Sequence, residues 1–129
     1  MIYLDSSVAL AQLFAEDRRP PSTLWAQPLV ASRLLEYEVW TRLNARGLSD
    51  SLGDWVRQLV DGMALVELVP PILERALNPF PLPVRTLDAL HLATMHHLRA
   101  TGQRIELASY DRRMNQVAEA MEFPLVSGL

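Results

Sequence analysis

Short apolar runs punctuate the chain, and most of the stretches between them repeat apolar residues at helical spacing. Residues 1–4 form the first run, which ends at an acid, Asp5. Val8, Leu10, Leu13 and Phe14 then follow a helical pattern, with Ser6 or Ser7 placed to cap it. Residues 16–21 are charged and end in proline, which predicts a loop. Residues 23–27 fit a short helix and 28–31 a buried strand. Ser32 is positioned to cap a helix over 33–46, which Gly47 ends. Ser49 opens another helix, over 50–63, and 65–69 is a strand candidate. Pro70 and Pro71 suit the start of a short helix over 72–77. The segment NPFPLPV, with three prolines in seven residues, must be extended or turning. Thr86 caps a long helix over 87–100, ended by Gly102. Residues 105–108 read as a strand, Asp111 starts a helix running to Met121, and 123–126 read as a last short strand.

Strands that alternate with helices predict an α/β fold, a parallel sheet with helices on both faces. In such sheets ligands bind beyond the carboxyl ends of the strands. Asp5 and Asp111 each fall just after a predicted strand, and Asp88 lies in the first turn of a helix. The pattern therefore brings three acids toward one edge of the sheet.

Composition narrows the function classes. The 129 residues suit one domain, and half of them are hydrophobic, enough for an ordinary core. No apolar run approaches the roughly 20 residues that span a bilayer. The opening MIYLDSS has no basic region ahead of its apolar residues and carries an early acid, unlike a signal peptide. No membrane association and a cytoplasmic location are expected. With no cysteine, disulfides, thiolate nucleophiles and Cys-ligated zinc are excluded. The net charge of -3 argues against broad, non-specific nucleic-acid binding, which is mostly phosphate neutralisation. A metal site that absorbs four of the fifteen acids would weaken that argument. All twelve basic residues are arginine. Its planar fork suits phosphate, although a GC-rich genome is the plainer explanation of an all-Arg count.

The acids are the candidate chemistry. Hard divalent cations take oxygen ligands and keep several waters, and a metal pair can activate water and stabilise the leaving oxygen of a phosphodiester. Each acid also has a simpler reading. Asp5 and Asp111 could merely cap helices, and Asp88 could complement a helix dipole. That reading is weakest for Asp88, which sits in the apolar LDALHLA, where a buried acid needs a partner or a metal. In SRLLEYEVWTRL, Glu36 and Glu38 compete. Glu38 lies one turn after Leu34 and Leu35 and shares their face, whereas Glu36 points nearer to solvent. His91 lies three residues after Asp88, but His91, His96 and His97 have no HExxH-type spacing and read as structural. Trp25, Trp40 and Trp55 read as core or interface, since no basic patch interleaves them.

MIYLDSSVAL, SRLLEYEVWTRL, RTLDALHLATMHHL and LASYDRRMNQVAEAMEFPLV resemble, in order and across essentially the whole chain, the four motif regions of PIN-domain proteins, above all the VapC-type toxins of bacterial toxin–antitoxin pairs. The resemblance implies a three-layer α/β/α sandwich over residues 1–129 and a Mg²⁺- or Mn²⁺-dependent endoribonuclease. It matches Asp5 to the first acid, Glu38 to the second, Asp88 to the third and Asp111 to the fourth, with Asp5 and Asp88 as the chief metal ligands. Ser7 and Ser109 fall where the family often has a hydroxyl near the site. A cognate antitoxin and a homodimer are expected from the same resemblance.

On this reading the four acids hold one or two ions that activate water against an RNA phosphodiester, in tRNA or rRNA, and Arg85, Arg112 and Arg113 hold flanking phosphates. The alternative is a catalytically weak binding module whose acidic pocket docks a basic segment of a partner protein.

Overall fold

The computed structural model describes residues 1–15 and 17–129; the predicted loop over 16–21 therefore falls partly outside the described residues, at Glu16. Four short strands, β1 (Ile2–Leu4), β2 (Leu29–Ser32), β3 (Ala64–Val66) and β4 (Glu106–Ala108), form a sheet in the order β3-β2-β1-β4, with all neighbours parallel. The helices are α1 (Ser6–Leu13), α2 (Leu34–Ala45), α3 (Ser49–Asp61), α4 (Pro70–Ala76), α5 (Thr86–Ala100) and α6 (Arg112–Ala120), with a 3₁₀ turn at Ser22–Ala26.

The layers follow from the two-residue period of the strands. Ile2, Leu4, Leu29, Ala31 and Ala108 face one core, shared with Val8 of α1, Leu35 and Val39 of α2 and Val56 of α3. The residues between them, Tyr3, Val30 and Leu107, face a second core with Leu92 and Met95 of α5 and Met114 and Val117 of α6. The sheet is thus buried on both sides, and its strands read as unbroken apolar runs. Trp25, Trp40 and Trp55 pack against the first core, and Trp25 meets Trp55 edge to face at 5.5 Å. This agrees with the first of the two roles read for them, core or interface, although all three are only partly buried.

The connections place the site. From β1 the chain steps outward to β2 and then β3, and then crosses back to lay β4 on the other side of β1. The reversal falls between β1 and β4, and the crevice at their carboxyl ends is where such sheets bind ligands. Asp5 follows β1 there, and Ser109–Asp111 follow β4, tied by the Asp5 amide donating to the Ala108 carbonyl at 2.9 Å. No helix among the described residues is long and apolar enough to cross a membrane.

Three expectations are corrected. Residues 123–126 do not form a strand. The segment makes a single parallel bridge, Leu107 to Leu125, framed by two backbone bonds at Leu107. Pro124 has no N–H to extend the pairing, and Gly128 turns the chain away at a positive φ of 79°. The helix-starting serines and Thr86 are not side-chain caps. Asp5 occupies the N-cap position of α1 and Arg85 that of α5, with no side-chain capping bond in either case. Ser6 and Ser7 instead turn their hydroxyls to carboxylates. Ser32 ends β2 rather than capping α2 directly, although its hydroxyl accepts from the Leu34 amide at 3.2 Å.

Candidate functional site

Asp5 is the most tightly held of the four acids. It is buried at the end of β1. Ser7, two residues on, donates to its Oδ2 at 2.6 Å, and Ser109, arriving from β4, donates to the same oxygen at 2.7 Å. Oδ1 carries no side-chain hydrogen bond from the described residues. The serines are themselves fixed: Ser7 Oγ accepts from the Tyr110 amide at 2.9 Å, and Ser109 Oγ accepts from the Asp111 amide at 3.0 Å. Asn115 donates to the Ser109 carbonyl at 3.0 Å. One acid is thus locked by two hydroxyls that lie 102 residues apart in sequence, with one oxygen left over.

Asp111 does cap a helix. Its Oδ1 accepts from the amides of Arg113 and Met114 at the start of α6. That engages one carboxylate oxygen, and the capping and site readings are compatible. Asp88 sits in the first turn of α5. Its carboxyl is pushed above the usual carboxylate range, first by burial and then by the charges of Asp111 and Asp5, against the smaller pull of His91 and Arg85. Asp5 and Asp111 are therefore both near enough to Asp88 to disfavour its charge.

Glu38 joins from α2. Its Oε1 lies 2.6 Å from His91 Nε2, and Ser6 donates to its Oε2 at 3.3 Å. Glu36 instead pairs with Arg33 at 3.4 Å. The face shared with Leu34 and Leu35 thus gives Glu38 different partners from Glu36. From the sequence His91 reads as structural, Ser6 only as a possible helix cap, and Tyr3 has no assigned role. The available signal was the three-residue interval between Asp88 and His91, which sets both on one face of α5. His91 feels opposing influences: burial disfavours its charge, but the hydrogen bond and charge of Glu38, with Asp5 and Asp88 beyond, outweigh it and raise its pKa.

Among the described residues, no group of three or more His, Asp or Glu side chains is drawn together closely enough to hold a metal ion. The donor set still suits a hydrated hard cation, which needs only one or two carboxylates and keeps its own waters. It is all oxygen, it leaves Asp5 Oδ1 without a side-chain hydrogen bond from the described residues, and the charges of Asp111 and Asp5 add to the burial that raises Asp88.

Because the raised Asp88 is costly when ionised, its sign in stability is opposite to that of a paired acid. The cost is present above its folded pKa and disappears as pH falls through it. Asp88→Asn should therefore raise the melting temperature in EDTA at neutral pH by up to about 3 °C, modest because the group is partly solvated. It should also shrink the further rise that Mn²⁺ produces. Thermal melts with EDTA and with Mn²⁺ check both signs.

Arg85, Arg112 and Arg113 are exposed beside Asp88 and Asp111. Five other arginines lie over aromatic rings, among them Arg99 over Phe123 at 3.8 Å and Arg46 over Phe14 at 3.9 Å, and Arg33 is paired with Glu67 at 2.7 Å.

Fold and site together define a parallel-sheet α/β protein with an acidic centre where the strand order reverses. Residues 2–120 match the family described as PIN domain. A ribonuclease of Mycobacterium tuberculosis, VapC46, is 30% identical over 129 residues, spanning 98% of this chain and 96% of that protein. Among solved structures, M. tuberculosis VapC20, described as a sarcin–ricin loop cleaving toxin, superposes with a TM-score of 0.71 at 22% identity, over 98% of each chain. A chain of a toxin–antitoxin complex from Klebsiella pneumoniae gives 0.64 at 21% identity, over 86% of this chain and 87% of that one. The chain belongs to the PIN-domain family, among its VapC-type ribonucleases.

Proposed function

We propose that this chain, a single PIN domain over residues 1–129, is a Mg²⁺- or Mn²⁺-dependent endoribonuclease of the cytoplasm and the toxin of a toxin–antitoxin pair. The observation that carries the reading is the Asp5 carboxylate. Two serine hydroxyls hold it through Oδ2, its Oδ1 has no side-chain hydrogen bond from the described residues, and it lies near Asp88, whose acidity is weakened first by burial and then by the charges of Asp111 and Asp5.

Asp5 and Asp88 would hold a divalent ion, with Glu38 and Asp111 completing the set. When bound, such an ion supplies charge neutralisation at the phosphodiester and activation of water for attack on it. The chain's own contribution is orientation. Ser7 and Ser109 fix the rotation of the Asp5 carboxylate, the α6 cap fixes Asp111, and the α5 backbone fixes Asp88. Arg85, Arg112 and Arg113 would hold the phosphates that flank the scissile bond. Each phosphate neutralised on a single strand adds about 0.7 to the salt dependence. Replacing all three arginines by alanine should therefore flatten the slope of log affinity against log salt by about 2, measured by RNA anisotropy in an Asp88→Asn background that does not cleave.

An antitoxin partner is supported by the VapC-type membership and by the likeness to the Klebsiella complex. A groove of about 390 Å³ runs beside Glu38 and Ser6, lined by Leu10, Leu34, Tyr37 and Leu87. It offers an amphipathic segment apolar anchorage next to the acids. A homodimer is the proposed assembly, as in the resemblance drawn from the sequence.

The reading is tested by sequencing RNA 5′ ends after induced expression. New ends should gather at a few positions in tRNA or rRNA with the native chain and be absent with Asp88→Asn. The same ends from both proteins would overturn it.

A further inference from the structure

Behind Glu38 lies a buried chain of polar groups that the metal reading does not use. Tyr3, in the middle of β1, is fully buried, and His91 of α5 is 1% exposed. The Tyr3 hydroxyl accepts from the Ser32 amide at 3.2 Å and meets His91 Nδ1 at 2.8 Å. The opposite ring nitrogen, Nε2, meets Glu38 Oε1 at 2.6 Å. The two rings stand edge to face, 6.0 Å between centroids.

The direction of the last bond is fixed by what its partners can do. A carboxylate only accepts, so Nε2 carries the hydrogen and donates to Glu38. The Tyr3 contact pins the other nitrogen, so the imidazole cannot turn over without losing both bonds. Two buried side chains from the sheet and α5 thereby aim one N–H at a glutamate that α2 delivers largely buried, its side chain 20% exposed. With Oε1 held, Oε2 is left to the acid cluster, sharing only the long bond from Ser6. A buried polar pair of this kind stays satisfied only if every member is bonded, and here the last acceptor in the row is a site carboxylate.

We propose that His91, braced by Tyr3, is a positioning residue that sets the orientation of Glu38 toward the divalent ion. The inference deepens the metal reading and rests on it. Outer partners of metal ligands typically change affinity by about 10–100-fold when removed.

The experiment is a double-mutant cycle on Mn²⁺ affinity, measured calorimetrically on the purified chain without RNA, with melting temperature recorded for every variant. His91→Leu should weaken Mn²⁺ binding by about tenfold. His91→Gln, whose amide can still donate, should stay within about threefold of the native chain. Tyr3→Phe, which keeps the ring and loses the hydroxyl, should weaken binding by severalfold, and it carries the test if His91→Leu fails to fold. In a Glu38→Gln background, neither His91→Leu nor Tyr3→Phe should weaken binding further. Losses that add to that of Glu38→Gln, or equal losses for His91→Leu and His91→Gln, would overturn the positioning role. Asp5→Asn is the control that separates the two claims. If it too leaves Mn²⁺ affinity unchanged, the metal reading falls and the inference with it. If it abolishes binding while the cycle is additive, only the role of His91 falls.

Discussion

Asp5→Asn is expected to lower metal-dependent RNA cleavage by about three orders of magnitude while the protein stays folded. The substitution keeps size and shape, so the reason lies in which atom goes where. Ser7 and Ser109 both donate to Oδ2. The asparagine will keep those bonds by placing its carbonyl oxygen there, and that sets its NH₂ where Oδ1 stood. A donor then occupies the one position open to a cation, and the charge that would hold it is gone. Charge stabilisation by a metal is worth several kcal/mol in phosphoryl chemistry, and each 1.36 kcal/mol is a factor of ten in rate. A cleavage assay on purified protein with Mn²⁺, paired with a thermal melt, checks the result. Activity within tenfold of the native chain, at an unchanged melting temperature, would remove Asp5 from the site.

The largest expected loss of stability comes from Leu92→Ala. Leu92 is fully buried in the second core, alongside Tyr3, Leu107, Met95 and Met114. It is also the residue by which α5 grips the sheet, one turn after Asp88 and next to His91. Truncation removes the transfer energy of the lost groups and leaves a cavity that a two-sided sandwich cannot collapse. The expected cost is about 3–4 kcal/mol, a large share of the roughly 5–15 kcal/mol that holds a domain of this kind together. Urea titration should show the midpoint falling by about 1–2 M with an unchanged slope. Because Asp88 and His91 share the helix, activity should fall as well, through the folded fraction and through loosened placement of both groups.

Much of the architecture was legible because apolar runs and helical periodicity are local signals. The run before Asp5, the stop at Gly47 and the long α5 pattern through Leu92 each have a cause within a few residues. The family motifs, read in order, name the four acids, and the face shared with Leu34 and Leu35 favours Glu38, which meets His91 and Ser6, over Glu36, which pairs with Arg33. What the sequence concealed is contact between distant segments. Ser109 reaches Asp5 across 104 residues, His91 reaches Tyr3 across 88 and Glu38 across 53. Periodicity gives the face a side chain is on but not the group it meets there, so His91 reads as structural although its far nitrogen meets Glu38. The cap expected from Ser6 or Ser7 is absent for a related reason. A serine at a helix start has two competing uses for its hydroxyl, and here nearby carboxylates outcompete the backbone amides. The last strand failed because an apolar stretch containing Pro124 can pair at one point without continuing.

The central claim is that the acids at the carboxyl ends of β1 and β4 and the start of α5 are a divalent-cation site. A crystal of the native chain soaked in Mn²⁺ and measured at the manganese absorption edge tests it directly. An anomalous peak within roughly 2.0–2.3 Å of Asp5 Oδ1 and an oxygen of Asp88, and absent from Asp5→Asn crystals, is the expected result. A map with no peak beside these acids, or with its peaks confined to other carboxylates, would contradict it.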